Sequence, residues 1–259
     1  MPTIIACYKW VLDEQDIKIN PGNLDLDTSR AKSKISDYDR NAIEEAVLQG
    51  EKSGAEVASL TFGSGNAKQS LKDALSRGPA KAYWVNDDLA NSADAFVTAN
   101  VLAAALKKIG QYDVILCGEG ASDTYAQQVG PRVATLLGIP AITFVSEMKI
   151  EGDKVVATRK IGDCTEEVTV PFPVVVTLLP EINKPRIPSL KQVLGAAKKP
   201  TTEWSVADLG LTAEETTAKN KVKSVKGFVM SRKNVIYKDG TPADKVASLV
   251  ASLTKEGVL

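Results

Sequence analysis

Val114-Ile115-Leu116-Cys117-Gly118-Glu119-Gly120-Ala121-Ser122-Asp123 is the stretch that decides the fold. An unbroken apolar run that ends in glycines and helix-capping residues reads as a strand buried on both faces and turning into a helix. That helix is predicted to end near Leu137-Gly138. The same alternation recurs on the N-terminal side. Ile4 to Tyr8, Val57 to Phe62 and Ala82 to Val85 read as strands. Helical spacing follows from about Asp39, through Leu71 and Leu75, and over Ala93 to Lys108, with Ser92 as the expected cap. Strands alternating with helices require crossover connections, hence an α/β fold with a parallel, doubly wound, Rossmann-like sheet.

After Pro140 the pattern changes. Thr143 to Ile150, Lys154 to Lys160, Glu166 to Val170 and Val174 to Leu178 read as successive strands, with turns at Glu151-Gly152-Asp153 and Ile161-Gly162-Asp163. The expectation is a meander of antiparallel additions to the sheet. From about Pro180 large apolar residues thin out, and the chain to Val225 reads as an extended arm. A short helix, Pro242 to Leu253, closes it. The expected division is a nucleotide-binding domain over residues 1–200 and a C-terminal arm with a short helix over 201–259.

Composition narrows the function. Basic and acidic residues balance at 32 each, which offers no general attraction to nucleic acid or anionic membrane. No stretch is long and apolar enough for a membrane-spanning helix, and the N-terminus lacks the pattern of a signal peptide. Cys7, Cys117 and Cys164 are odd in number and widely spaced, which suggests a reducing compartment and a cytoplasmic location. There is no histidine, so Ser-His and Cys-His triads and histidine-ligated zinc are excluded. No metal site and no catalytic acid or base is expected. A chain of this kind borrows its chemistry from a cofactor.

In open parallel sheets ligands bind beyond the carboxyl ends of the strands, where Cys117 to Asp123 lies. Gly118 and Gly120 permit close backbone approach, and Ser122 or Asp123 is the expected cap of the next helix. The first free amides would then fall near Thr124 to Gln128, with the positive end of the helix dipole behind them. Glu119 and Asp123 would repel a phosphate, so binding has to rest on backbone amides and on the neutral groups of Thr124, Gln127 and Gln128. Gly63-Ser64-Gly65 forms a second such loop. A glycine-rich turn of this kind is also often only a turn.

GEGASDTYAQQVGPRVATLLGIP at Gly118–Pro140 resembles the nucleotide-binding loop and helix of the electron transfer flavoprotein beta subunit. VATRKIGDCTEEVTVPFPVVVT at Val156–Thr177 resembles the same family's signature, and NKPRIPSLKQVLGAAKKP at Asn183–Pro200 its dehydrogenase-docking segment. Lys9, Val11 and Asp13 match the N-terminal strand, and Ser76 to Pro79 looks closest to the FixA-type branch. The order of the blocks agrees over roughly residues 1–210.

The resemblance implies a heterodimer with an alpha subunit, and an acyl-CoA or related flavin dehydrogenase as partner. NADH and ferredoxin or flavodoxin are further implied in the electron-bifurcating branch. The implied cofactor is FAD, with AMP as the alternative in the beta-subunit site. Val129-Gly130-Pro131 matches the bifurcating pattern, because valine lacks the hydroxyl that the simple branch offers a phosphate; Thr124-Tyr125-Ala126 departs from it, and Tyr125 narrows the site. Cofactor contacts are expected at Cys7, Lys9, Ser36, Asp37, Phe62, Gly63, Cys117, Gly118, Gly120, Ala121, Asp123, Thr124, Gln127, Gln128, Val129 and Gly130. Partner docking is expected at Leu190, Val193 and Leu194.

Plainer readings stand beside these. Val129 and Pro131 suit a helix start on packing grounds alone, and Asp123 suits a cap. Tyr8 and Trp10 are as natural in a core as beside a flavin ring. Arg159, Asp163, Glu166 and Glu167 read as a solvated charge pattern rather than an acid/base cluster. Two rival functions are a nucleotide hydrolase or adenylating enzyme and a stress-type nucleotide-binding module.

Overall fold

Strands buried on both faces organise the molecule. A computed structural model describes residues 1–228 and 232–259. In chain order the first elements are β1 (Thr3–Tyr8), β2 (Trp10–Leu12), β3 (Lys18–Ile19), β4 (Leu26–Asp27), β5 (Ser33–Ile35), α1 (Asp37–Ser53), β6 (Glu56–Gly63), α2 (Lys68–Ser76) and β7 (Lys81–Asn86). There follow α3 (Ala95–Ile109), β8 (Val114–Gly118), α4 (Val129–Leu137), β9 (Ala141–Glu151), β10 (Lys154–Ile161), β11 (Cys164–Pro171), β12 (Val174–Leu178), α5 (Leu190–Ala196), β13 (Thr201–Trp204) and α6 (Pro242–Lys255).

The chain forms two compact units, Met1–Lys18 with Asp27–Val225, and Ile19–Leu26 with Lys226–Leu259. The first holds a nine-stranded sheet in the order β11-β10-β9-β12-β8-β1-β6-β7-β13. All neighbours from β9 to β13 along that order run parallel; only β10 and β11 are added antiparallel. Residues of α1 pack on one face beside Ile4, Leu116 and Val176. Residues of α3 and α4 pack on the other, beside Ile5, Leu60, Ile115 and Val175. Each large aliphatic side chain buried in these layers stabilises the fold by about 1.5–3 kcal/mol. The mostly parallel, doubly wound α/β architecture matches the expectation.

The meander needs correcting. β12 does not follow β11 in the sheet; it crosses back to lie parallel between β8 and β9. All its residues are buried, as a central parallel strand requires, whereas β11 is largely exposed. Past residue 180 the chain is more regular than an arm. α5 forms behind a Ser189–Gln192 capping box, and β13 adds to the sheet edge beside β7. The cap of α3 is Asp94, whose carboxylate accepts from the Val97 amide, rather than Ser92.

In the second unit Gly227 donates its amide to the Leu24 carbonyl, and Lys226 pairs with Asp25. Its α6 begins at a Thr241–Asp244 capping box and leaves Val246, Leu249 and Val250 exposed. Among the described residues no helix is long and apolar enough to cross a membrane, and no cluster of His, Cys, Asp and Glu could hold a metal ion.

Candidate functional site

The sheet order fixes where a ligand can sit. From β1 the chain winds outward through β6 and β7, then returns to the other side of β1 as β8. The ends of β1 and β8 therefore flank a switch point, where diverging connections leave a crevice.

One buried carboxylate ties the two strand ends together. Asp39, in the first turn of α1, accepts the Lys9 amide (2.8 Å) on one oxygen and the Gly118 amide (3.3 Å) on the other. Burial pushes its carboxyl up to about 7, although both amides and the Lys9 charge pull the other way. A Cβ at Gly118 would lie 2.8 Å from both Asp39 Oδ1 and Tyr38 Cβ, so only glycine lets β8 come this close to α1. Ser36 joins the same junction. Its amide donates to the Lys9 carbonyl (3.0 Å), and its hydroxyl accepts from the Ser122 amide (3.2 Å). Lys9 ion-pairs with Asp123 across the mouth.

The connection from β8 to α4 differs from the expectation, for the helix begins at Val129 and not just after Asp123. The cause lies in the backbone. Tyr125 (φ 45°) and Gln127 (φ 55°) sit in the left-handed region, which no helix turn tolerates. Asp123 caps only a local turn, accepting the Thr124 amide at 2.8 Å, and the Tyr125 amide goes to the Ala121 carbonyl at 2.8 Å. The free amides accordingly start later. From Ala126 through Gln127, Gln128 and Val129 to Gly130, no backbone N–H donates to an acceptor among the described residues. Pro131 comes next and has no N–H to add. Gly130 must be glycine, since a Cβ would lie 2.4 Å from Thr177 Cγ2 on β12. The Ser122 hydroxyl is buried without a partner.

These features meet the demands of a nucleotide phosphate, which takes backbone N–H groups at the positive end of a helix. The remaining predicted residues divide. Lys9, Ser36, Gly118, Gly120, Ala121 and Asp123 gather at the β1–β8 junction, and Gln127 to Gly130 form the amide run. Thr124 stands in the same connection with its amide already committed. Cys7 and Cys117 are buried together on the α3 and α4 face, beneath the crevice. Hydrogen bonding to Cys7, with burial, holds the Cys117 thiol well above its ordinary value. Phe62 and Gly63 end β6, with β1 between them and β8. Asp37 pairs with Lys34 and Arg40. Leu190 and Leu194 lie on α5, outside the crevice and 75% and 61% exposed, while Val193 is half-buried.

Two residues of the site carried no signal at the level of spacing, and a third, Glu119, was visible only as a charge that would repel a phosphate. Asp39 was visible only as an acidic residue in a helix's first turn. Tyr38 meets Tyr125 with ring centroids 5.2 Å apart. Glu119, buried, accepts the Tyr125 hydroxyl at 2.8 Å and Gln127 Nε2 at 3.4 Å. Tyr8 is buried in the core, where it bonds Ser70, and the half-buried Trp10 packs against the core clusters rather than standing free. Arg159 and Glu166 are cross-strand partners forming a 2.6 Å surface ion pair.

Among proteins of known family, the model described as "Electron transfer flavoprotein domain" matches residues 23–209.

Proposed function

The chain belongs to the electron transfer flavoprotein family, and from that premise we propose that it is the small (beta) subunit of a heterodimer, holding an adenine nucleotide at the start of α4. The observation that carries this reading is the run of unpaired amides from Ala126 to Gly130 at the sheet's switch point. The chain's own residues bind and orient. Gly130 brings the helix start down onto β12, Asp39 fixes the spacing of β1 and β8, and Lys9 with Asp123 borders the entrance. The nucleotide in this reading is FAD, and Val129 favours it, because an apolar side chain at the helix start gives a monophosphate no hydroxyl. Flavin, when bound, supplies the one- and two-electron redox chemistry, and the protein supplies position and electrostatics. Electrons then pass between NADH or a flavin dehydrogenase and acceptors such as ferredoxin or flavodoxin, by bifurcation.

A second reading, structural AMP in a simple electron carrier, is favoured by Tyr125, whose ring lies against Gly120 and narrows the crevice. Docking to the dehydrogenase falls to the exposed Leu190 and Leu194, and the exposed stripe of α6 suits a place on the alpha subunit. A carboxylate pair at the phosphate turn disfavours a hydrolase or adenylating enzyme.

Acid extraction of the heterodimer purified with its alpha subunit tests the reading. About two flavins per heterodimer are expected from flavin in both subunits. One flavin with AMP selects the second reading, and no nucleotide beyond one flavin removes both. Val129→Thr is expected to weaken the second flavin more than the first; equal loss of both would count against the site.

A further inference from the structure

Glu119 sits on the turn that carries the free amides, yet nothing neutralises it. Its side chain is buried, at 8% exposure, and its oxygens are held by the uncharged donors Tyr125 Oη and Gln127 Nε2. Lys9, the cation at the crevice mouth, is committed to Asp123. No lysine or arginine among the described residues forms an ion pair with Glu119. The hydrogen bond also pushes the Tyr125 phenol up to about 12, so the tyrosine keeps its proton and acts as the donor. The Glu119 carboxylate, without a cationic partner, stands one glutamine side chain away from the backbone of Gln127, in the middle of the amide run. Both residues that hold it, Tyr125 and Gln127, are in left-handed conformations, so the carboxylate also shapes the turn that exposes the amides.

We propose that Glu119 is a specificity-determining residue, which selects nucleotides of low phosphate charge and disfavours di- and triphosphates. The proposal rests on the reading of this turn as a nucleotide site. AMP carries about two negative charges near neutral pH. FAD, whose phosphates are bridged on both sides, carries a similar charge, whereas each terminal phosphate of ADP and ATP adds roughly one more. The free amides attract all of them. Glu119 repels each in proportion to its charge, and burial limits the screening of that repulsion.

The test is calorimetric titration of the full-length chain, freed of nucleotide, with AMP, ADP and ATP in the absence of divalent cations. The wild type should bind AMP more tightly than ATP. In Glu119→Gln the ratio of the ATP to the AMP dissociation constant should fall by about tenfold, and Glu119→Asp, which keeps the charge, should retain most of the discrimination. An unchanged ratio in Glu119→Gln, with nucleotides still binding, overturns the role of Glu119 and leaves the site standing. Absence of any nucleotide binding to the wild type overturns both. Should Glu119→Gln fail to fold, the wild type decides alone: it must bind AMP about tenfold more tightly than ATP, and equal or tighter binding of ATP defeats the proposal.

Discussion

Asp39 carries the strongest electrostatic tension of the crevice, a carboxyl without solvent between two strand ends. Its folded-state value of about 7 lies above the ordinary 3.8, so between those limits the folded protein holds a proton that the unfolded chain has released. The stabilising contribution is complete below the unfolded value, declines as pH rises, and is gone above the folded one. Chemical denaturation between pH 4 and 8 should therefore show an Asp39-dependent slope of up to about 1.4 kcal/mol per pH unit, and Asp39→Asn should flatten it. A wild type and variant with identical slopes would place the proton elsewhere. None of this was legible in the sequence. Asp39 looked like any acidic residue near a helix start, and burial by β1 and β8, 30 and 79 residues away, created its properties.

At the scale of elements, the segment leading into α5 is staked to α1 and α2 by polar side chains. Arg186 meets the buried Glu44 at 2.9 Å and Glu51 at 2.8 Å, and Asn183 bonds the Asn41 carbonyl and Glu45. Beyond α5, Lys199 Nζ reaches the carbonyls of Leu75, Gly78 and Pro79. The apolar residues between the stakes are left exposed rather than allowed to collapse. Arg186→Ala strands the Glu44 charge, and a urea titration should register a loss of about 3 kcal/mol. Leu190→Ala, by contrast, should shift stability by less than about 0.5 kcal/mol while slowing electron transfer to the dehydrogenase; unchanged transfer would remove the docking role. The helical spacing of Leu190, Val193 and Leu194 was readable from the sequence. The delayed start of α4 was not, because Thr124 to Gln128 have acceptable helix propensity, and it is the left-handed backbone of Tyr125 and Gln127, whose side chains both donate to Glu119, that keeps them out of the helix.

For the molecule as a whole, the sequence by itself determined that the fold is α/β, that the sheet is mostly parallel, and that a glycine turn follows the central strand. Those are consequences of local periodicity, since apolar runs buried on both faces and amphipathic helices announce themselves within a dozen residues. Tertiary structure alone decided the place of β12, because Val174 to Leu178 is equally apolar as the last strand of a meander or as a central parallel strand. It also decided which amides stay unpaired and which carboxylates lose their water. Pairing and solvation are settled between distant segments, and no window of the chain contains both partners.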